Sequence, residues 1–198
     1  KQKDLLNFNI TENNTFIGKN ETPFRYGMTD AIYAGLNDVI VWDATELKSA
    51  VKAGKKMILA KDIEMSESIA ISNAAFELNG NGKTITMTED ATNTYALFDI
   101  NDGTASIKNV TFDGIKGGAV VRTVGTEFEA DNVIAKNGQH TQQQGLFRLL
   151  GKSTIKNCTF KNNTCNMVIT LNFDANSNPY YQVVENCVFE ENTCNDTA

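Results

Sequence analysis

Ile107-Lys108-Asn109-Val110-Thr111-Phe112 reads apolar, any residue, Asn, small or apolar, any residue, Phe or Ala. The same frame holds at Ile71-Ser72-Asn73-Ala74-Ala75-Phe76, Ala130-Asp131-Asn132-Val133-Ile134-Ala135, Ile155-Lys156-Asn157-Cys158-Thr159-Phe160 and Val184-Glu185-Asn186-Cys187-Val188-Phe189. Successive Asn residues are separated by 36, 23, 25 and 29 positions. A self-similar unit at that period is the mark of a solenoid, in which each repeat stacks on its neighbours.

Side-chain alternation says which way each residue faces. Ile107, Val110 and Phe112 point inward and Lys108 and Thr111 outward, and Ile155, Cys158 and Phe160 repeat the pattern against Lys156 and Thr159. The period of two breaks at the Asn, so a bend belongs there. Asn tolerates left-handed backbone angles, and its amide can bond to a counterpart one coil away. Asn73, Asn109, Asn132, Asn157 and Asn186 are therefore expected to form a structural ladder at one corner.

Longer apolar runs supply the rest of each coil. Tyr95–Ile100, Gly118–Thr123 and Gly145–Leu150 fill equivalent places, and Gly82–Met87 is set in the same series. The expected fold is all-β: a single-stranded parallel β-helix, with each strand paired to its equivalent about 4.8 Å away on the next coil.

Residues 1–42 carry no copy of the frame and are expected to be an irregular segment packed along the side of the solenoid, which occupies 43–198. Asp43 stands as an N-cap with Glu46 three residues on, followed by Leu47, Ala50 and Val51 on one face and Gly54 as a stop. A short helix over 44–53 is thus predicted to cap the first coil, with Met57-Ile58-Leu59-Ala60 as the first strand. The last repeat ends near Cys194 with no evident cap, so further chain or a partner subunit is expected to cover that coil.

With 41% apolar residues the chain can bury a continuous core. A net charge of -6, with scattered Lys and Arg, argues against nucleic acid as a partner, and no apolar run is long enough to span a membrane. Seven Asn-x-Ser/Thr sequons begin at Asn9, Asn13, Asn20, Asn109, Asn157, Asn162 and Asn195. Abundant Asn and Thr generate several by composition alone.

The repeats, the capping helix and the opening stretch Phe76-Glu77-Leu78-Asn79-Gly80-Asn81-Gly82-Lys83-Thr84-Ile85 resemble the right-handed parallel β-helices of the pectate-lyase-like superfamily. Within it they look like β-helix domains of bacterial cell-surface adhesins and glycan-associated surface proteins. Phe160-Lys161-Asn162-Asn163, Phe189-Glu190-Glu191-Asn192 and Gly117-Gly118-Ala119-Val120 also look like the short repeats of polymorphic outer-membrane autotransporters. The resemblance implies a non-catalytic bacterial surface or secreted domain for adhesion or glycan binding, with a polysaccharide or a host surface glycan or protein as partner. Enzymes share the fold, so a polysaccharide lyase or glycoside hydrolase is the alternative. The clustered acids, GHG and RIK segments of polygalacturonases are missing, as are the calcium carboxylates and Arg-x-Pro of the lyases. A structural stalk or spacer is the remaining class.

Cys158 and Cys187 lie 29 residues apart, as do Cys165 and Cys194, so each pair should stack on adjacent coils. They are either free thiols in core columns or coil-to-coil disulfides. With no CxxC and one His, neither a metal nor another cofactor is expected. In this register Asp99, Arg122, Arg148 and Thr170 form one outward column, and Leu97, Val120, Leu146 and Val168 another. Insertions flank that face: 136–144, carrying His140 as a loop residue, and 174–181, carrying Asn176, Tyr180 and Tyr181. Arginine forks, amides and paired aromatic rings suit carboxylated or hydroxylated sugars, which makes Asp99, Arg122, Arg148, His140, Asn176, Tyr180 and Tyr181 the candidate glycan site.

Overall fold

A computed structural model describes residues 38–92, 95–140, 145–171 and 182–194. In chain order the elements are β1 (Asp38–Val41), α1 (Ala44–Lys52), β2 (Lys56–Leu59), β3 (Ile63–Glu67), β4 (Ile69–Asn79), β5 (Thr84–Thr92), β6 (Ala96–Asp113), β7 (Lys116–Gly117) and β8 (Ala119–Lys136). They continue as β9 (Gln139–His140), β10 (Phe147–Leu150), β11 (Ser153–Lys156), β12 (Thr159–Lys161), β13 (Thr164–Cys165), β14 (Ile169–Leu171), β15 (Gln182–Glu185), β16 (Val188–Glu190) and β17 (Thr193–Cys194). The strand pairings between coils are parallel, and the strands stack as a solenoid of about five turns.

The coils have three main faces, and those from β6 onward add a short fourth. The first runs through β4, β6, β8, β10 and β14 in the register Ile69, Phe98, Val121, Phe147, Ile169. On the second, Leu78, Ile107, Ala130, Ile155 and Val184 stack. Ile63, Ile85, Phe112, Ala135, Phe160 and Phe189 stack on the third. The fourth consists of β7, β9, β13 and β17 alone.

Alternation puts these columns inside, where they are buried in the inner coils. Bulk is shared around each coil. The β6 coil sets Phe98 and Phe112 against Ala105, and the β8 coil sets Phe128 against Val121 and Ala135. The next coil sets Phe147 and Phe160 against Ser153. That alternation of large and small lets aromatic rings meet between and within coils, as Phe147 and Phe160 do at 5.2 Å, edge to face.

The corners are built from left-handed residues. Asn109, Asn132, Asn157 and Asn186 have φ of 53–54° and stand one above the other, with Gly114, Asn137, Asn162 and Glu191 at the next corner. The side-chain ladder is shorter than expected. Asn132 donates Nδ2 to Asn109 Oδ1 at 2.9 Å, and Asn109 donates to Asn79 Oδ1 at 3.2 Å. Asn157 turns instead to Asp131 Oδ1 at 2.7 Å.

Asn73 belongs to another corner. It is left-handed with φ 56°, but the register beside it pairs Ser72 with Asn101 and Ala74 with Gly103, which sets Asn73 over Asp102. The interval of 36 residues to Asn109 exceeds one coil for that reason. The same shift moves the Gly82–Met87 run to the third face, where Ile85 stacks on Phe112.

Helix α1 forms as its signals predict. Asp43 Oδ1 accepts the Glu46 N–H at 2.8 Å, and Leu47, Ala50 and Val51 are buried over the first coils. The carboxylate of Glu46 accepts the Trp42 N–H. The helix joins two paired strands rather than preceding them, because β1 pairs with β2 in the register Val39 to Met57. The first described strand is thus Asp38–Val41, ahead of Met57–Ala60. Residues 1–37 lie outside the described residues.

Candidate functional site

The outward column of the first face has the expected register. Asp99 pairs with Arg122, Arg122 with Arg148, and Arg148 with Thr170, one rung apart each time. The guanidinium of Arg122 donates Nη1–H to Asp99 Oδ1 at 2.5 Å, with both side chains about one-fifth exposed. Its Nε is buried without a protein partner. Burial lowers the pKa of Arg148, and the charge of Arg122 beneath it pushes the same way while Asp99 opposes. The Asp99 carboxylate therefore acts on both guanidiniums of this column.

Elsewhere on the outer surface inter-rung ion pairs match one lysine to one acid. Lys56 meets Glu77 at 2.8 Å, Lys136 meets Asp113 at 3.1 Å and Lys152 meets Glu127 at 2.5 Å. On the first face the inter-rung pair is Arg122 with Asp99, and Arg148 continues the column. Thr170, at its end, is already engaged: its Oγ1 accepts the Gly145 N–H at 3.0 Å. A Cβ on Gly145 would lie 2.7 Å from the Thr170 nitrogen, so only glycine admits this approach.

The second expected outward column faces in. Leu97, Val120 and Leu146 are buried and Val168 is partly buried. They occupy the entry corner, where the chain turns and two consecutive residues, such as Leu97 and Phe98, both reach the core.

His140 is not a loop residue. It lies in β9, is buried, and occupies the same position on successive rungs as Gly117 below it and Cys165 and Cys194 above it. Its Nδ1 bonds to the Gly118 carbonyl, which can only accept, so Nδ1 carries the proton. Nε2 is then a bare acceptor, and it is buried without a partner. Burial lowers the His140 pKa, against the pull of the Gly118 carbonyl.

A folded-state pKa below the unfolded value of about 6.5 makes stability fullest above that value, and lost as pH falls from it through the folded value. The urea midpoint should accordingly fall between pH 7 and 5, above the carboxylate range. A His140→Gln variant, which keeps a donor for Gly118, should flatten that slope. His140 is thus a buried residue of the fourth sheet, tied to the Gly118 carbonyl.

Asn176, Tyr180 and Tyr181 lie outside the described residues. The face they were expected to flank is described as far as Leu171.

All four cysteines are free thiols, in the two stacked columns expected: Cys165 beside Cys194, and Cys158 in line with Cys187. Burial pushes the Cys158 and Cys165 thiols up to about 12. Neither is a ready nucleophile. Among the described residues no three of His, Cys, Asp and Glu converge as a metal site.

A concavity of about 410 Å³ lies over the Asn corner, lined by Asn81, Asn109, Thr111 and Asn132 among others. No stretch of sequence pointed to it. It arises because left-handed bends recur on successive rungs and hold amide side chains along its floor.

Compared with known protein families, with curated proteins and with solved structures, the chain matches none of them. No helix among the described residues is long and apolar enough to cross a membrane.

Proposed function

We propose that this chain is a non-catalytic, glycan-binding β-helix domain of a bacterial cell-surface or secreted protein, acting in adhesion. The proposal includes the right-handed winding and the pectate-lyase-like kinship that the repeats resemble; nearly all parallel crossovers wind that way. The carrying observation is the Asp99, Arg122, Arg148 column, which stacks two guanidiniums on consecutive rungs of one outer face. Arginine forks suit the carboxylates or sulfates of an acidic sugar. The column sits on an outer face from whose ends the segments 141–144 and 172–181 depart.

The test is a glycan array of neutral, carboxylated and sulfated polysaccharides, with depolymerisation assays on the same samples. Binding without product release is expected, with preference for the acidic glycans. Arg148→Ala should weaken it about 10–100-fold, the worth of a charge-assisted bond or two, and Arg148→Lys should recover only part, having charge without the fork. Tyr180→Ala combined with Tyr181→Ala tests the flanking segment in the same assay. Product release would make the chain an enzyme, and absence of binding would leave a spacer.

A further inference from the structure

The last described rung leaves its core uncovered. Ile155 and Phe160 are fully buried, yet Val184 and Phe189, their equivalents one rung on, are 41% and 49% exposed. Leu171, in the inward column of Leu149, is 40% exposed. Among the described residues, strands β14, β15, β16 and β17 each pair on one side only. An apolar surface framed by unpaired strand edges is a template for one more rung.

Charge says what that rung must carry. Residues 153–165 hold Lys156 and Lys161 and no acid, whereas residues 182–194 hold Glu185, Glu190 and Glu191 and no Lys or Arg. On the second face Lys108, Asp131, Lys156 and Glu185 stand in line, so the sign alternates over four consecutive rungs. On the third face Glu190 ends the column of Lys161, whose Nζ lies 3.9 Å from its carboxylate. Opposite charges on neighbouring strands attract, and like charges directly opposite repel. The open side of the last rung therefore calls for a basic residue at both glutamates. A second copy of this chain, docking by the same edge, would set three glutamates against three.

We propose that β15 and β16 dock an extended segment of a partner protein, added in parallel as a strand, a left-handed bend and a strand. Its chemistry follows from the columns. An aliphatic residue lies over Val184, Lys or Arg over Glu185, Asn or Gly over the left-handed Asn186, a small apolar residue over Cys187, an aromatic ring over Phe189, and Lys or Arg over Glu190. The rung on the other side of β15 and β16 already has this make-up, as Ile155-Lys156-Asn157-Cys158-Thr159-Phe160-Lys161. There Phe160 stacks on one face of Phe189 at 5.2 Å, and the partner's ring covers the other face. Main-chain hydrogen bonds supply the affinity, and the two basic residues select against acidic strands.

The probe is a synthetic peptide copying residues 153–161 with Cys158→Val, and its control also carries Lys156→Glu and Lys161→Glu. Fluorescence anisotropy against the full chain should show the basic peptide binding at least about 10-fold tighter, since two exposed charge pairs are made in one case and set like against like in the other. Glu185→Gln with Glu190→Gln in the protein, both at exposed positions, should remove most of that preference. Equal binding of the two peptides by the unmodified chain would overturn the proposal. So would no binding of the basic peptide up to about 1 mM, the weak end of specific recognition.

Hydrogen exchange separates the other occupants. Amides on the open edge of β15 and β16 should exchange fast in the free chain, and at least about 10-fold slower with the basic peptide at saturation. If they are already slow in the free chain, sedimentation velocity says what covers them: a dimer means a second copy, and a monomer means the chain itself. Either result overturns the proposal. Neither measurement involves a glycan, so the fate of the proposed function does not decide it.

Discussion

Phe160→Ala should cost the fold about 3–5 kcal/mol, the usual loss when a buried aromatic side chain is truncated in a core. Phe160 is fully buried between Phe147, edge to face at 5.2 Å, and Phe189, stacked at 5.2 Å with an interplanar angle of 11°. Its column has Ala135 on one side, which cannot swell into the void. The backbone cannot collapse inward either, because β12 is tied by parallel ladders to β8 on one side and β16 on the other. Equilibrium urea unfolding reads the loss as a lower midpoint. Phe160→Leu, closer in volume, should recover most of it. Because a solenoid couples each coil mainly to its neighbours, the damage should concentrate in the coils carrying β10 to β17. Faster amide exchange there than in β4 and β6 would show that localisation.

Gly103→Val should be comparably severe, about 3–5 kcal/mol, by another route that combines overpacking with backbone strain. Gly103 has φ of +86°, and a Cβ there would lie 2.6 Å from the Ala74 nitrogen and closer still to its carbonyl oxygen. Those are backbone atoms in the paired strand, so nothing flexible can yield. A β-branched side chain adds the conformational penalty of a left-handed angle. Gly82 supplies the contrast. It has φ of +72°, but a Cβ there meets no atom within 4 Å. Gly82→Ala should therefore cost only about 1–2 kcal/mol, the price of left-handed strain alone. Equal losses at the two positions would show that the close approach to Ala74 carries no weight.

The inward columns were legible because each rests on local rules: alternation in a strand and the tolerance of Asn for positive φ. The Asp99, Arg122, Arg148, Thr170 column was legible because chain lengths between these positions match the coil. Other features depend on what the corners do. The frame at Ile71–Phe76 looks like its fellows because any corner needs strand, bend and strand, so the string alone does not say which corner it makes. Leu97, Val120 and Leu146 were misplaced because strict alternation fails where the chain enters a face. His140 was unreadable as a core residue because the fourth sheet is made of two-residue strands, too short for periodicity. The concavity over Asn109 and Asn132 is a property of stacked bends, which no single stretch contains.

One consequence of the corner geometry concerns how the protein ages. Three Asn-Gly pairs occur in the chain, Asn79-Gly80, Asn81-Gly82 and Asn137-Gly138. Such pairs deamidate when the glycine nitrogen attacks the Asn side-chain carbon to close a succinimide ring. Here each of those nitrogens is held by a neighbouring rung: Gly80 N–H by the Lys108 carbonyl, Gly82 N–H by the Asn109 carbonyl, and Gly138 N–H by Asn163 Oδ1. The bonds that join the coils also keep those nitrogens from the attacking geometry, so the folded solenoid shields these side-chain amides from loss of ammonia.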